Sequence, residues 1–300
     1  MQERRLGRDG PLVSVVGLGC NNFGGRVDLE GTRAVVDAAL ECGITLFDTA
    51  DIYGDGRSET FLGEVLQGRR DRVVLATKFG NEMPGGPDAP GGSREWIRWA
   101  VEGSLRRLQT DVIDLYQYHR PDGVTPLEET LGAMRELLGE GKVRFLGSSN
   151  FEPAQIEEAD RVVRLVSAQN RYSLVRREAE DELLPVCERL GIGFLPYFPL
   201  ESGLLTGKYR RGEEAPEGTR LAGRAASLTD EAFDRVEELE RFAAERGASL
   251  LEVAIGGLAA MPAIASVIAG ATRPEQVRAN AAAGKWEPSA EDRQALAQMR

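Results

Sequence analysis

Apolar and polar positions alternate along this chain in a repeating pattern. Short, β-rich apolar runs begin near residues 15, 44, 73, 112, 143, 165, 192 and 265. Segments with helical spacing fall between them, at residues 30–41, 94–108, 126–139, 153–160, 181–190 and 274–283. Such runs, apolar on both faces and alternating with helices, are typical of a parallel sheet. The right-handed crossover rule then favours closure, and we predict a (β/α)8 TIM barrel as one domain over residues 1–300.

An open, doubly wound sheet is the alternative fold. The stretch "GLGCNNFG" begins as a dinucleotide-binding fingerprint does, but Asn22 stands where the third glycine belongs. The stretch "GLLTGKY" differs from a phosphate loop in its spacing, and Tyr209 replaces the usual Ser or Thr. Neither motif supports the open sheet.

Three segments lie outside the repeat. Residues 5–14 have the turn chemistry of a short hairpin, which is expected to cap the bottom of the barrel. A polar loop rich in Gly, Pro and Glu at 212–220 precedes an extra helix at 229–246. The final stretch, 289–299, predicts one more helix. The barrel should therefore carry extra helices after its seventh strand and at its C-terminus.

Charge and apolar length limit the possible partners. The formal net charge is −11 and the sequence pI is near 4.9, so neither nucleic acid nor an anionic membrane is expected as a partner. Residues 250–271 have the length of a membrane span, but Glu252, the Gly256–Gly257 pair and Pro262 divide them into a helix, a turn and a strand. We predict no membrane segment.

Cysteine usage and the first residues indicate a cytoplasmic protein. Cys20, Cys42 and Cys187 form no CxxC pair, and the single histidine cannot complete a zinc site. Reduced thiols and no bound metal are expected. The opening residues "MQERRLGRDG" lack the apolar segment of a secretory signal.

Polar residues stand where the predicted strands end, which in such barrels is the catalytic rim. They are Asp48, Asp51 and Tyr53 after strand two, Lys78 after strand three, His119 after strand four, Ser148, Ser149 and Asn150 after strand five, Gln169 and Asn170 after strand six, and Tyr197 after strand seven. Each alone has a structural explanation, such as a helix cap or a snorkelling lysine. A joint cluster of Asp, Lys, Tyr and His is better explained by catalysis.

This cluster suits proton donation to a carbonyl group. A tyrosine releases its proton near pH 10, and we expect a neighbouring lysine ammonium to lower that pKa. An aspartate beside the lysine keeps it charged, while a neutral histidine can hold the carbonyl oxygen. No side chain supplies hydride, so a nicotinamide cofactor is implied.

Seven motifs occur in order across nearly the whole chain: "FDTADIYG" followed by "SE", "ATKFG", "DLYQYHRPD", "LGSSNF", "AQNRYSL", "PYFPLESGLLTGKY" and "AGATRPEQVRAN". Together they resemble the aldo-keto reductase family. The resemblance implies an NAD(P)H-dependent reductase of aldehydes and ketones. Its catalytic tetrad would consist of Tyr53 as proton donor, Lys78 and Asp48 as the residues that tune it, and His119 as the carbonyl-orienting residue.

The resemblance also implies cofactor-binding positions. Near the nicotinamide they are Gly19, Asn21, Asp48, Ser149, Asn150 and Gln169, with Tyr197 stacked on its ring. In the pyrophosphate loop they are Leu200, Gly203 and Leu205, and around the adenosine they are Gly270, Thr272, Gln276 and Asn280. Some relatives bind the 2′-phosphate with a Lys, a Ser and an Arg. At the matching positions this chain has Gly270, Ala271 and Gln276 instead.

The residues themselves suggest how a phosphate could still be held at the adenosine end. A helix opening near Pro274 offers free N–H groups, Thr272 a hydroxyl and Arg273 a fixed charge. We therefore expect NADPH, with NADH also possible. No role is predicted for Glu201, which follows the Pro-Leu pair of the cofactor loop.

Two other functions fit parts of the sequence. Lys78 inside the rim would suit a Schiff-base lyase. Alternatively, the chain could be a non-catalytic, NADPH-binding regulatory subunit. For a reductase, the small-molecule carbonyl substrate should contact loops at 20–26, at 79–92 and after residue 200.

Overall fold

Eight parallel strands form the centre of the fold, preceded by a short antiparallel hairpin. The computed structural model describes residues 1–222 and 229–299. The hairpin consists of β1 (Glu3–Arg5) and β2 (Leu12–Ser14). The parallel strands are β3 (Val16–Gly19), β4 (Leu46–Asp48), β5 (Val74–Phe79), β6 (Ile113–Tyr118), β7 (Val143–Ser149), β8 (Ser167–Arg171), β9 (Gly193–Tyr197) and β10 (Val267–Gly270).

The strands close into a barrel in chain order. From β3 to β9 each strand pairs with the next, and β10 pairs with β3. On the remaining side, the Phe194 N–H donates to the Ala263 carbonyl at 2.8 Å, and the Ala265 N–H donates to the Phe194 carbonyl at 3.0 Å. The predicted (β/α)8 barrel and its N-terminal hairpin are confirmed.

Helices surround the barrel. They are α1 (Leu29–Glu41), α2 (Arg57–Val65), α3 (Arg94–Leu108), α4 (Leu127–Gly139), α5 (Pro153–Val162), α6 (Leu183–Leu190), α7 (Asp230–Glu245), α8 (Leu250–Ala259), α9 (Pro274–Ala283) and α10 (Ala290–Gln298). Both extra helices, α7 and α10, lie where the sequence predicts them. The pattern did not indicate α2, whose segment RSETFLGEV has a short apolar face.

The hairpin fills the bottom of the barrel. Leu6 and Val13 are fully buried and pack into the layer of apolar side chains that the strands point inward. The Arg8 N–H donates to the carbonyl of Gly191, in the turn before β9, at 2.7 Å. The hairpin is therefore fastened to the lower rim, as predicted.

Strand alternation places the polar side chains directly above this apolar layer. Side chains two positions apart on a strand share a face. The inward residues Leu46, Ala76, Leu115 and Leu195 are thus followed, two positions later, by Asp48, Lys78, Gln117 and Tyr197. The predicted catalytic rim is thus the next layer of the barrel interior.

The long connection after β9 runs beside the rim. It begins with a distorted 3₁₀ segment, Glu201–Thr206, continues through residues 207–222 and reaches α7. Residues 223–228, within the predicted extension of the seventh unit, lie outside the described residues. Residues 250–271 form α8 and β10, and in the described part of the chain no helix is long and apolar enough to cross a membrane.

Candidate active site

Asp48, Lys78 and Tyr53 meet at the upper end of the barrel. The Lys78 ammonium is fully buried and donates to Asp48 Oδ2 at 2.7 Å and to the Thr49 carbonyl at 2.8 Å. Its nitrogen lies 3.4 Å from the Tyr53 hydroxyl oxygen. A buried cation thus has one carboxylate to balance it and one phenol to act on.

Two glutamines hold the other oxygen of Asp48. Gln117 Nε2 donates to Oδ1 at 3.1 Å, and Gln169 Nε2 donates to the same atom at 2.9 Å. All three side chains are buried, so Asp48 stays in place without solvent. Gln117 is missing from the sequence-based prediction, although its position two residues before His119 on one strand face was a usable signal.

His119 stands beside this group at the end of β6. Its ring lies edge-on to the Tyr53 ring, with 6.0 Å between the centroids. Its backbone N–H donates to the Phe79 carbonyl at 2.8 Å, and its carbonyl accepts from Asn150 Nδ2 at 2.9 Å. Asn81 is in the loop after β5, and its Nδ2 atom lies 2.8 Å from His119 Nδ1. The sequence-based prediction did not name Asn81.

Burial decides the ionisation of Tyr53. Burial raises the pKa of Tyr53 above its ordinary value and outweighs the lowering by the Lys78 charge. The expectation of a lowered pKa was therefore wrong in sign, because the sequence does not reveal how much desolvation a rim position suffers. At neutral pH, Tyr53 holds its proton.

Lys78 and His119, the two basic groups of the site, differ in charge. Burial opposes the charge of Lys78, but Asp48 and then Tyr53 more than compensate, and the pKa of Lys78 is raised. Burial, followed by the charges of Lys78 and Arg120, lowers the pKa of His119 to about 3. The site therefore combines an ammonium, a neutral phenol and a neutral imidazole.

A cleft of about 740 Å³ extends from this group, which is within the usual size of ligand sites. Most of the predicted cofactor residues line it: Gly19, Asn21, Asp48, Ser149, Asn150, Gln169, Tyr197, Leu200, Gly203, Gly270, Thr272, Arg273, Gln276 and Asn280. Leu205 does not line it, since it is fully buried in the core beneath the loop. Lys78 lies behind the wall of the cleft, whereas Tyr53 and His119 face it.

Asn150 and Tyr197 are linked at the end nearest His119. The Tyr197 hydroxyl donates to Asn150 Oδ1 at 2.7 Å, and Asn150 Nδ2 also donates to Ser149 Oγ at 3.1 Å. Asn150 adopts the left-handed conformation, with φ 58°. The ends of β7 and β9 thus present one hydrogen-bonded wall to the cleft.

Several cations line the cleft. Arg26, Lys208, Arg220 and Arg273 face the cleft, and Arg26 Nη2 donates to the Gly218 carbonyl at 2.9 Å. This bond joins the loop after β3 to the connection after β9, so the two loops meet over the cleft. Sequence reasoning named only Arg273 among these four.

Gly203 allows Lys208 to take its position. Its φ is +95°, and a Cβ there would lie 2.6 Å from Lys208 Nζ. The left-handed conformation favours glycine at this position, and a larger residue would displace the flexible end of Lys208. Among the residues predicted to surround the adenosine, the Thr272 N–H and hydroxyl both donate to Gln276 Oε1, at 2.8 and 3.0 Å.

Glu201 has a structural role that the sequence did not predict. Its carboxylate pairs with the Arg171 guanidinium and accepts from Ser173 Oγ at 3.1 Å. It ties the strained start of the connection, where Glu201 has φ 43°, to the end of β8.

Asp51 lies fully buried behind the tetrad. Its Oδ1 accepts from the Ile52 N–H at 2.7 Å, and its Oδ2 has no hydrogen-bond partner within the described residues. Burial, followed by the neighbouring carboxylate of Glu59, raises the pKa of Asp51 to about 8. The group is therefore a neutral acid at pH 7.

Known proteins resemble this chain over nearly its full length. The Aldo/keto reductase family profile matches residues 15–300. A probable voltage-gated potassium channel subunit beta of Oryza sativa subsp. japonica is 36% identical over 301 residues, covering 93% of this chain and 90% of the relative. The aldo-keto reductase YhdN of Bacillus subtilis is 36% identical over 303 residues, covering 97% and 91%.

A solved structure agrees with this likeness. The aldo-keto reductase AKR11C1 from Bacillus halodurans, in its holo form, superimposes with a TM-score of 0.85 at 35% sequence identity, covering 100% of this chain and 96% of that one. Fold, motifs and sequence match point to one conclusion. The chain belongs to the aldo/keto reductase family.

Proposed function

We propose that this protein reduces aldehydes or ketones to alcohols with NAD(P)H, and that Tyr53 donates the proton. The observation that carries the proposal is the buried contact series Asp48–Lys78–Tyr53, with distances of 2.7 and 3.4 Å, at the closed end of the cleft. Members of this family are oxidoreductases that use nicotinamide cofactors, and the bound cofactor supplies the hydride.

Each member of the tetrad then has one task. Tyr53 keeps its proton until the carbonyl oxygen gains negative charge, and then transfers it. The Lys78 ammonium stabilises the tyrosinate that remains, and Asp48 keeps the ammonium oriented. His119, neutral and next to Tyr53, donates a hydrogen bond to the carbonyl oxygen.

The residues of the cleft fit a dinucleotide. Asn150, Ser149 and Gln169 offer amide and hydroxyl groups for a carboxamide, and Tyr197 offers a ring for stacking. The cations Arg26, Lys208, Arg220 and Arg273, which line the cleft, suit the phosphates in a chain whose net charge is −11. Because Arg273 adds charge at the adenosine end, we propose NADPH as the preferred cofactor and NADH as a poorer one.

A Schiff-base mechanism fits the geometry less well. Lys78 has an ion pair and a raised pKa, so its nitrogen lacks the free lone pair that a nucleophile needs. The regulatory alternative has specific support, because two plant relatives at 36% identity are named as probable potassium channel beta subunits. A purely regulatory subunit does not require the tetrad, so its presence in this chain favours an enzyme that turns over a substrate.

A panel of aldehydes and ketones tests the proposal directly. Each is mixed with the protein and NADPH or NADH, and loss of the reduced nicotinamide absorbance is followed. Turnover with at least one carbonyl compound, faster with NADPH, is expected. Tight NADPH binding without any turnover would instead favour the regulatory subunit. We place the protein in the cytoplasm, consistent with its three free cysteines.

A further inference from the structure

The single histidine, His119, has a side-chain partner at its Nδ1 atom. Asn81 Nδ2 lies 2.8 Å from His119 Nδ1. The backbone of His119 is held by two further hydrogen bonds, from its N–H to the Phe79 carbonyl and from the Asn150 side chain to its own carbonyl. A neutral imidazole carries one proton, on either Nδ1 or Nε2. The partner of one nitrogen therefore determines what the other nitrogen can do.

The Asn81 amide has its donor facing the ring. Nδ1 must then accept, which leaves the proton on Nε2. We propose that Asn81 is a positioning residue that fixes His119 as the Nε2–H tautomer, so that the imidazole can only donate to a carbonyl oxygen. The functional part of this inference rests on the proposed reductase function, whereas the tautomer itself does not.

The charges around His119 agree with this assignment. Lys78 and Arg120 act on the ring, and both disfavour a second proton on it. With the other tautomer, Nε2 would present a lone pair to the developing oxyanion, which repels it. Within the described residues, Asn81 makes no other side-chain hydrogen bond, so its amide is directed to the imidazole alone.

The number of histidines makes the test unusually clean. The chain contains one histidine, so a full-length protein labelled with imidazole-¹⁵N histidine, and purified without a histidine tag, gives the nitrogen signals of His119 alone. Long-range ¹H–¹⁵N correlation spectra distinguish Nδ1–H, Nε2–H and the imidazolium. We expect the Nε2–H pattern in the wild type, unchanged from pH 5 to pH 9.

Two variants of the loop test the role of Asn81. Asn81→Asp places a carboxylate, which can only accept, against Nδ1. The proton should move to Nδ1, or the ring should become doubly protonated with a midpoint raised into the range of pH 5–8. Glu82→Gln changes an exposed charge in the same loop and should leave the pattern as in the wild type.

Activity gives a second and separable result. If carbonyl reduction occurs, Asn81→Asp should lower kcat by roughly tenfold or more at pH 9, where the ring is neutral and carries its proton on Nδ1, with KM for NADPH nearly unchanged. Wild-type protein with an Nδ1–H ring, or an Asn81→Asp spectrum identical to the wild type, would overturn the inference. Absence of turnover with the predicted spectra would refute the reductase proposal while leaving the tautomer assignment standing.

Discussion

The two ends of the cleft are built in different ways. At the proposed proton-donating end, Asp48 and Lys78 are buried, come from neighbouring strands and have their polar atoms satisfied within 3.1 Å. At the proposed phosphate end, Arg273 is exposed on a loop, and Gln276 bonds to its neighbour Thr272. One end is fixed by the barrel, whereas the other depends on surface side chains.

The difference predicts how each end responds to mutation. A buried hydrogen-bonded group cannot be replaced by water, so its loss should be severe. An exposed cation acts through solvent, so its loss should reduce affinity only modestly. Substitutions at the two ends should therefore separate effects on kcat from effects on KM.

The largest effect is expected at Tyr53. Tyr53→Phe removes the proton donor but little volume, so kcat for carbonyl reduction should fall by about 10²–10⁴-fold while NADPH still binds. Stopped-flow turnover and cofactor fluorescence titration measure the two quantities. Tyr172→Phe removes a buried hydroxyl that bonds to Glu180, and should leave kcat unchanged. Retention of more than about a tenth of wild-type kcat by Tyr53→Phe would rule it out as the acid.

Lys78→Met should be nearly as damaging. Without the ammonium, a tyrosinate at Tyr53 loses the cation that lies 3.4 Å from its oxygen, and we expect kcat to fall by roughly 10²-fold or more. Borohydride treatment of wild-type protein with a carbonyl substrate should give no covalent adduct in the mass spectrum. A stoichiometric adduct on Lys78 would support the Schiff-base alternative.

Asp51 should affect stability rather than turnover. Its folded-state pKa, about 8, lies above the unfolded value, so the unfolded state releases this proton first as pH rises. The contribution of Asp51 to the free energy of unfolding is therefore fully present below about pH 4. It decreases as the pH rises from about 4 to about 8. Asp51→Asn abolishes that loss, and its stability relative to wild type should rise by about 2–4 kcal/mol between pH 5 and pH 8.

Urea unfolding at both pH values measures the Asp51 effect. Asp71→Asn, at an exposed carboxylate, serves as the control for the substitution itself. An Asp51→Asn variant whose relative stability does not change with pH would mean that Asp51 is ionised in the folded protein.

The smallest effect is expected at Arg273. Arg273→Ala should raise KM for NADPH several-fold, a loss of about 1 kcal/mol, and leave KM for NADH nearly unchanged. Arg278→Ala is the matched control, since Arg278 lies on α9, the helix that begins directly after Arg273, but pairs with Glu41 at 3.1 Å. Equal changes for both cofactors would show that Arg273 does not read the 2′-phosphate.

Sequence reasoning was most accurate where strand geometry alone fixes a side chain. Period-two alternation and strand ends suffice to bring Asp48, Lys78 and His119 together, and the same rule applied to Gln117 would have found it. It was least accurate in the loops. Asn81 meets His119 only because of the path taken after β5, where Gly80 has φ +113°.

Leu205 and Tyr53 show two further limits. The Glu201–Thr206 segment contains left-handed residues, including Ser202 with φ 60°, and Leu205 lies in the core rather than at the cleft. An apolar residue in a glycine-containing loop fits either placement. For Tyr53, the motif identified the residue but not the balance between burial and the lysine charge, which depends on three-dimensional packing.

The hairpin at the bottom of the barrel has an electrical consequence. Leu6 and Val13 seal the barrel, and the apolar layer above them separates the Asp48–Lys78 pair from water on that side. Two opposite charges 4 Å apart attract with about 1 kcal/mol in water and about 4 kcal/mol at an effective dielectric constant of 20. Leu6 and Val13 thus help to keep the effective dielectric constant around the Asp48–Lys78 pair low, and this strengthens the attraction between the two charges.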